Sequence, residues 1–170
     1  MKTIIKWVNK IITKILIILM ATIVLDVSWQ VITRFILKNP SSYTEELAGF
    51  LLIWIGLLGA AYALYTKSHL GIDVLTYKLK GTKKQIVEVF IYSIVLLFAL
   101  FIMVIGGIKL VSLTLALKQI SPALNIKMGY IYLVLPFSGL LMILNSIGFI
   151  IDAIRNQFEQ SSGPQISALD

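Results

Sequence analysis

Cysteine is absent from this chain and histidine occurs once. A disulfide framework, a thiolate metal site and a thiol nucleophile are therefore all excluded. Charge is scarce as well: only 14% of the 170 residues are Asp, Glu, Lys or Arg, while 58% are hydrophobic. That balance lies outside the range of soluble domains and inside that of integral membrane proteins. No glycine-rich phosphate loop, no nucleophile with an identifiable base and no arginine cluster is present. Catalysis is not what this composition serves, and no cofactor or metal site is expected. The net charge of +7 sits beside apolar runs, so positive-inside topology accounts for it and nucleic acid is not a partner.

Long uncharged runs are what the chain has in quantity. The clearest lies within YTEELAGFLLIWIGLLGAAYALYTKSHLGID, Tyr43 to Asp73. From Leu47 to Thr66 there is no charge, and at 1.5 Å per residue such a helix crosses a hydrocarbon core of roughly 30 Å. Gly49, Gly56, Gly59, Ala60 and Ala63, with Leu52, share one helical sector. Small residues let backbones approach closely in lipid, so this sector reads as a groove for another helix. Ser42 or Thr44 caps the helix, and Glu45 and Glu46 occupy its first turn, where carboxylates suit the exposed N–H groups. Those two glutamates are read as helix-start chemistry with a pair to Arg34, or as a contact for a partner protein.

Before this stretch, Lys2, Lys6, Lys10 and Lys14 recur every fourth residue, opposite a face of Ile4, Trp7, Ile11, Ile12 and Ile15. Such a basic amphipathic helix suits the surface of an anionic leaflet, with lipid as its partner. The first span follows, from about residue 15 to 35. Within it Thr22, Asp26, Trp29, Gln30 and Thr33 share a face. A carboxylate there costs about 2.5–3.5 kcal/mol to insert, so this face belongs against protein. Asp26 is then a polar contact with a neighbouring helix or subunit, or an ion or proton site.

The second loop holds Lys67, Lys78, Lys80, Lys83 and Lys84 around an apolar set, consistent with a short interfacial helix. His69 and Asp73 open it, either as a turn network at the cytoplasmic mouth or as a weak metal or proton-relay pair. A third span covers about 86–110, with its helical pattern continuing towards Leu117 or bending at Gly106 and Gly107. After a loop from Lys118 to Lys127 the fourth covers 128–151, with a kink expected at Pro136 and Tyr130 and Tyr132 as interfacial anchors. The expected architecture is all-α and integral to the membrane: four transmembrane helices in one domain, residues 1–155, and a polar, disordered tail at 156–170. Basic residues concentrate in the N-terminal segment and second loop, which places both termini in the cytoplasm.

Taken together, DVSWQVITRF, YTEELAGFLLIWIGLLGAAYA after a proline, KSHLGIDVL and SPALNIKMGYIYLVLPFSG closely resemble the small membrane subunit of tripartite ATP-independent periplasmic (TRAP) transporters. The resemblance runs from about Asp26 to Gly139. It implies a bacterial inner-membrane protein that binds a large transport subunit, alongside a periplasmic substrate-binding protein. It also implies sodium-driven uptake of carboxylates such as sialic acid or C4-dicarboxylates, with the sodium and substrate sites in the large subunit. Arg34, Glu45, Glu46, His69, Asp73, Ser121, Pro122 and Pro136 stand at motif positions. The external set Arg34, Tyr43, Glu45, Glu46, Ser121 and Pro122 is expected to dock the binding protein or form a structural network. Asp26, Trp29, Gln30 and the small-residue sector are expected to meet the large subunit. From the residues alone, a self-contained proton-coupled exporter using Asp26 is the alternative, and a structural tetraspan protein a third.

Overall fold

The computed structural model describes residues 2–39, 41–66 and 82–161. Among these the chain is helical almost throughout. The helices are α1 (Lys2–Phe35), α2 (Ser42–Tyr65), α3 (Thr82–Phe98), a π-helical segment (Ala99–Gly106), α4 (Gly107–Ala116), α5 (Met128–Tyr132) and α6 (Val134–Ser161). They compose four apolar rods, each long enough to cross a membrane. The fold class expected from the uncharged runs is therefore the one observed. His69, Asp73 and the interfacial helix expected around them lie outside the described residues.

At the centre stands α6, with α2 packed along one side and α3 and the π-helical segment along another. Leu58, Ala61 and Leu64 of α2, Tyr92, Ala99 and Met103 of the third rod, and Val134, Leu141 and Met142 of α6 form the buried core. α1 lies on the flank of α2 and joins the core mainly through Ile12. Only 6% of its most apolar stretch is buried inside the chain, against 39% for the fourth rod. The remainder faces lipid or protein from outside.

Helix boundaries depart from expectation in several places. α1 runs without a break through residue 15, so the basic N-terminal segment and the first span are one rod. No Gly or Pro interrupts that stretch, which leaves propagation of the helix unopposed. α1 ends where Lys38 takes a left-handed backbone (φ 52°) and Asn39 donates back to the Thr33 carbonyl at 3.0 Å. The N-cap of α2 is Ser41, not Ser42 or Thr44. The Thr44 hydroxyl instead donates back to the Ser41 carbonyl at 2.8 Å. The third rod, in contrast, follows one of the two courses expected of it and continues to Ala116 through the π-helical segment. α6 extends to Ser161, into the stretch expected to be a disordered tail, because residues 152–161 contain good helix formers and neither Gly nor Pro.

Pro136 explains the division of the fourth rod. Lacking an N–H, it has nothing to offer the Tyr132 carbonyl, and the helix is interrupted at Leu133 between α5 and α6. Beside that break the Trp54 indole of α2 donates to the Ile131 carbonyl at 3.1 Å. A cross-helix bond thus serves a backbone acceptor where the fourth rod is divided.

Candidate functional site

Two levels of the bundle gather its polar groups. At one, the end of α1, the start of α2 and the loop 118–127 meet. Lys118 and Asn125 adopt left-handed backbones (φ 50° and 56°), and Ile120 pairs with Lys127 in an antiparallel bridge. Ser121 donates its N–H to the Ile126 carbonyl at 2.9 Å and accepts from Asn125 at 3.1 Å, closing the loop on itself. Glu46 then fastens the closed loop to α2, its Oε2 accepting the N–H groups of Ala123 (2.9 Å) and Leu124 (2.8 Å). This pairing is not the helix-start role or the Arg34 pair that the first-turn position suggests. The two adjacent carboxylates are consequently different: Glu46 is half-buried and engaged, and Glu45 is exposed.

Facing this clamp is a cavity of about 660 Å³ walled by Trp29 and Thr33 of α1, Ser41 and Tyr43, and Ala123 of the loop. The Tyr43 side chain lies beside Ser41 and Trp29, with Asp26 close enough to act on it electrostatically. Of the external set, Tyr43, Glu46 and the Ser121–Pro122 loop are brought together here. Arg34 and Pro122 project outward. The Ser121 hydroxyl is buried without a hydrogen-bond partner.

Asp26 is half-buried on a rod that is otherwise largely exposed. Its Oδ2 is screened from solvent and accepts no hydrogen bond from the described residues. Trp29 on the same face is 49% exposed. Thr33 of the same face is buried and Gln30 half-buried, and a buried carboxylate oxygen without a donor is costly in an apolar medium.

The small-residue sector of α2 separates into two parts. Among the described residues, a side-chain carbon added at Gly49, Gly56 or Gly59 would meet no atom within 4 Å beyond its own stretch of helix. Ala60, by contrast, packs against the core. The close helix contacts inside the chain are made by glycines of the third and fourth rods. At Gly107 an added carbon would lie 2.9 Å from Pro136 Cδ, and at Gly139 2.8 Å from Met103 Cβ.

At the opposite level a buried polar clasp ties three rods. Asn9 Nδ2 donates to Asn145 Oδ1 at 2.9 Å and to the Ile5 carbonyl at 2.9 Å, while Asn145 Nδ2 donates to the Ala61 carbonyl at 3.2 Å. Both side chains are 3% exposed. Sequence reasoning missed this pair. The available signal was an isolated amide in each of two apolar faces, since such a group in a membrane bundle requires a donor or acceptor on another helix. Of the lysine stripe, Lys6, Lys10 and Lys14 are exposed and Trp7 is 66% exposed, while the side chain of Lys2 lies outside what the structure describes.

Comparison with known proteins adds a family. The family model described as "Tripartite ATP-independent periplasmic transporters, DctQ component" matches residues 23–156. The chain is similar to the sialic acid TRAP transporter small permease protein SiaQ of Vibrio cholerae, 38% identical over 74 residues, which cover 44% of this chain and 43% of that protein. A putative TRAP transporter small permease protein of Haemophilus influenzae is 25% identical over 142 residues, 84% of this chain and 86% of its own length. The C4-dicarboxylate TRAP transporter small permease protein DctQ of Rhodobacter capsulatus is 31% identical over 100 residues, 59% of this chain and 44% of its own. The matched stretch thus spans less than half of the Vibrio and Rhodobacter proteins.

Proposed function

Because this chain belongs to the DctQ-component family of the tripartite ATP-independent periplasmic transporters and is thus a multi-pass small permease subunit, we propose that it acts as a scaffold, with no chemistry of its own, for a large transport subunit. Sodium and substrate bind in that larger chain. The substrate is an organic acid of the sialic acid or C4-dicarboxylate type, a reading supported by the roles in the relatives' names. Both termini lie in the cytoplasm, on the side of the lysine-rich segments, and the clamped loop 118–127 faces the periplasm, where it helps seat the substrate-binding protein. The scaffold role is preferred to a self-contained exporter on the strength of the family match, and it takes Asp26 as a contact group.

One observation carries the scaffold reading: the glycine face of α2 is open in the isolated chain. Within one bundle a glycine stripe is wasted unless a backbone comes close to it. Among the described residues Gly49, Gly56 and Gly59 meet no backbone of another helix, and the flanking face of α1 presents a carboxylate oxygen that lacks a donor. Both are features that a packed membrane helix from another subunit would satisfy.

The test uses Gly49→Leu with Gly56→Leu. These side chains enter open space in the chain itself, so the isolated subunit keeps its helicity and unfolding midpoint. Co-purification of the large subunit should fall about tenfold or more, because overpacking a close helix contact costs roughly 1–3 kcal/mol. Undiminished co-purification and uptake would place the large subunit elsewhere.

A further inference from the structure

A second cavity, of about 550 Å³, opens at the level of the asparagine clasp between the first turns of α1 and the last part of α6. α1 and α6 touch at Gly148, where an added carbon would lie 2.7 Å from Ile5 Cδ1. Asn9 and Asn145 lock them one turn deeper. Beyond that lock lies the cavity, walled by Ile5 and Phe149 and rimmed by Lys6, Tyr65, Asp152 and Arg155. Phe149 is held in place from behind by Tyr92, with ring centroids 5.0 Å apart. Asp152 and Arg155 already take part in contacts within the chain, which orients them. The rim carries two positive charges and one negative, a formal surplus of +1.

Its depth in the membrane identifies the ligand. The uncharged run of the fourth rod ends at Ile151 and that of α2 at Thr66, so the rim lies where hydrocarbon gives way to headgroups. A molecule found there with both an anionic centre and an apolar body is a phospholipid. Cavities of this volume hold small-molecule ligands, and basic pockets between membrane helices suit anionic headgroups. We propose that this cavity holds the headgroup of an anionic phospholipid, its phosphodiester between Lys6 and Arg155 and its upper acyl segments against Ile5 and Phe149. The surplus of one positive charge matches a singly charged phosphodiester and gives a zwitterionic lipid no advantage. The lipid then completes the seam between α1 and α6 that the asparagines begin. This site is independent of the transporter reading.

Native mass spectrometry of the full chain, exchanged into micelles with equal amounts of phosphatidylglycerol and phosphatidylethanolamine, tests it. The wild type should retain phosphatidylglycerol about tenfold over phosphatidylethanolamine, and Lys6→Gln with Arg155→Gln should bring that ratio near one. Lys6→Arg with Arg155→Lys should restore it, which separates lost charge from lost folding. Lys38→Gln with Lys118→Gln, at the other end of the bundle, should leave it unchanged. A wild-type ratio near one, or a ratio that survives loss of Lys6 and Arg155, overturns the site. Displacement of bound phosphatidylglycerol by equimolar glycerol 1-phosphate also overturns it, in favour of a soluble phosphoester site.

Discussion

Glu46 shows how far a single residue's role departs from its address. Its place in the first turn of α2 is legible as helix-start chemistry, since that rule depends only on local sequence. Its actual partners, the N–H groups of Ala123 and Leu124, are far away in the chain. They depend on two left-handed residues that close the loop, which no periodicity announces. Glu46→Ala should therefore speed amide exchange at both residues about tenfold and destabilise the chain by about 1.5 kcal/mol, the lower end for bonds to a charged group. Glu45→Ala, at an exposed side chain, should change neither; equal effects of the two substitutions would deny Glu46 its clamp. Asn9 and Asn145 teach the same lesson. Each isolated amide is legible as a group in need of a partner, whereas its choice of the other is a property of how α1 and α6 cross.

At the scale of elements, the uncharged runs made all four rods legible, because hydrocarbon thickness sets their minimum length. Their interiors were less so. A kink at Pro136 was expected, and the helix is broken before it at Leu133, with the Trp54 indole bonded to the Ile131 carbonyl. The glycines of α2 drew attention as a helix-packing groove, yet the tight seams inside the chain belong to Gly107 and Gly139. Composition cannot separate the two sets, since a glycine stripe has the same sequence signature whether its partner is in the same chain or another. The neighbours of each glycine rank the cost of filling it. Gly139→Ala would press on Met103 Cβ at 2.8 Å and on the Ala99 carbonyl at 3.3 Å, atoms that cannot swing aside. Gly148→Ala would meet only the tip of Ile5. Unfolding in detergent should show Gly139→Ala costing about 1–3 kcal/mol and Gly148→Ala clearly less; the reverse order would contradict the packing described for the π-helical segment.

For the whole molecule, α1 and α2 connect the same two levels with different lengths of helix. One cavity joins Ile5 to Tyr65 and the other joins Thr33 to Tyr43. Along its axis α1 rises about 42 Å between those levels, and α2 about 33 Å. α1 therefore carries more helix than α2 between the two cavities. No hinge interrupts it, since α1 is a single helix, and the asparagine clasp fixes one end. Counted along that helix, Lys10 and Lys14, both exposed, lie about 6 Å and about 12 Å further in than Lys6. Lysines at that depth reach back to water and draw headgroups down with them. Lipid beside α1 is therefore expected to thin relative to lipid beside α6. Fluorescence quenching by lipids labelled at known acyl depth should find Lys14 neighbours close to headgroups, and short-chain lipids enriched along α1; an even annulus on all sides would mean that these lysines draw no headgroups inward. A small permease subunit would thereby set the thickness of the membrane around itself.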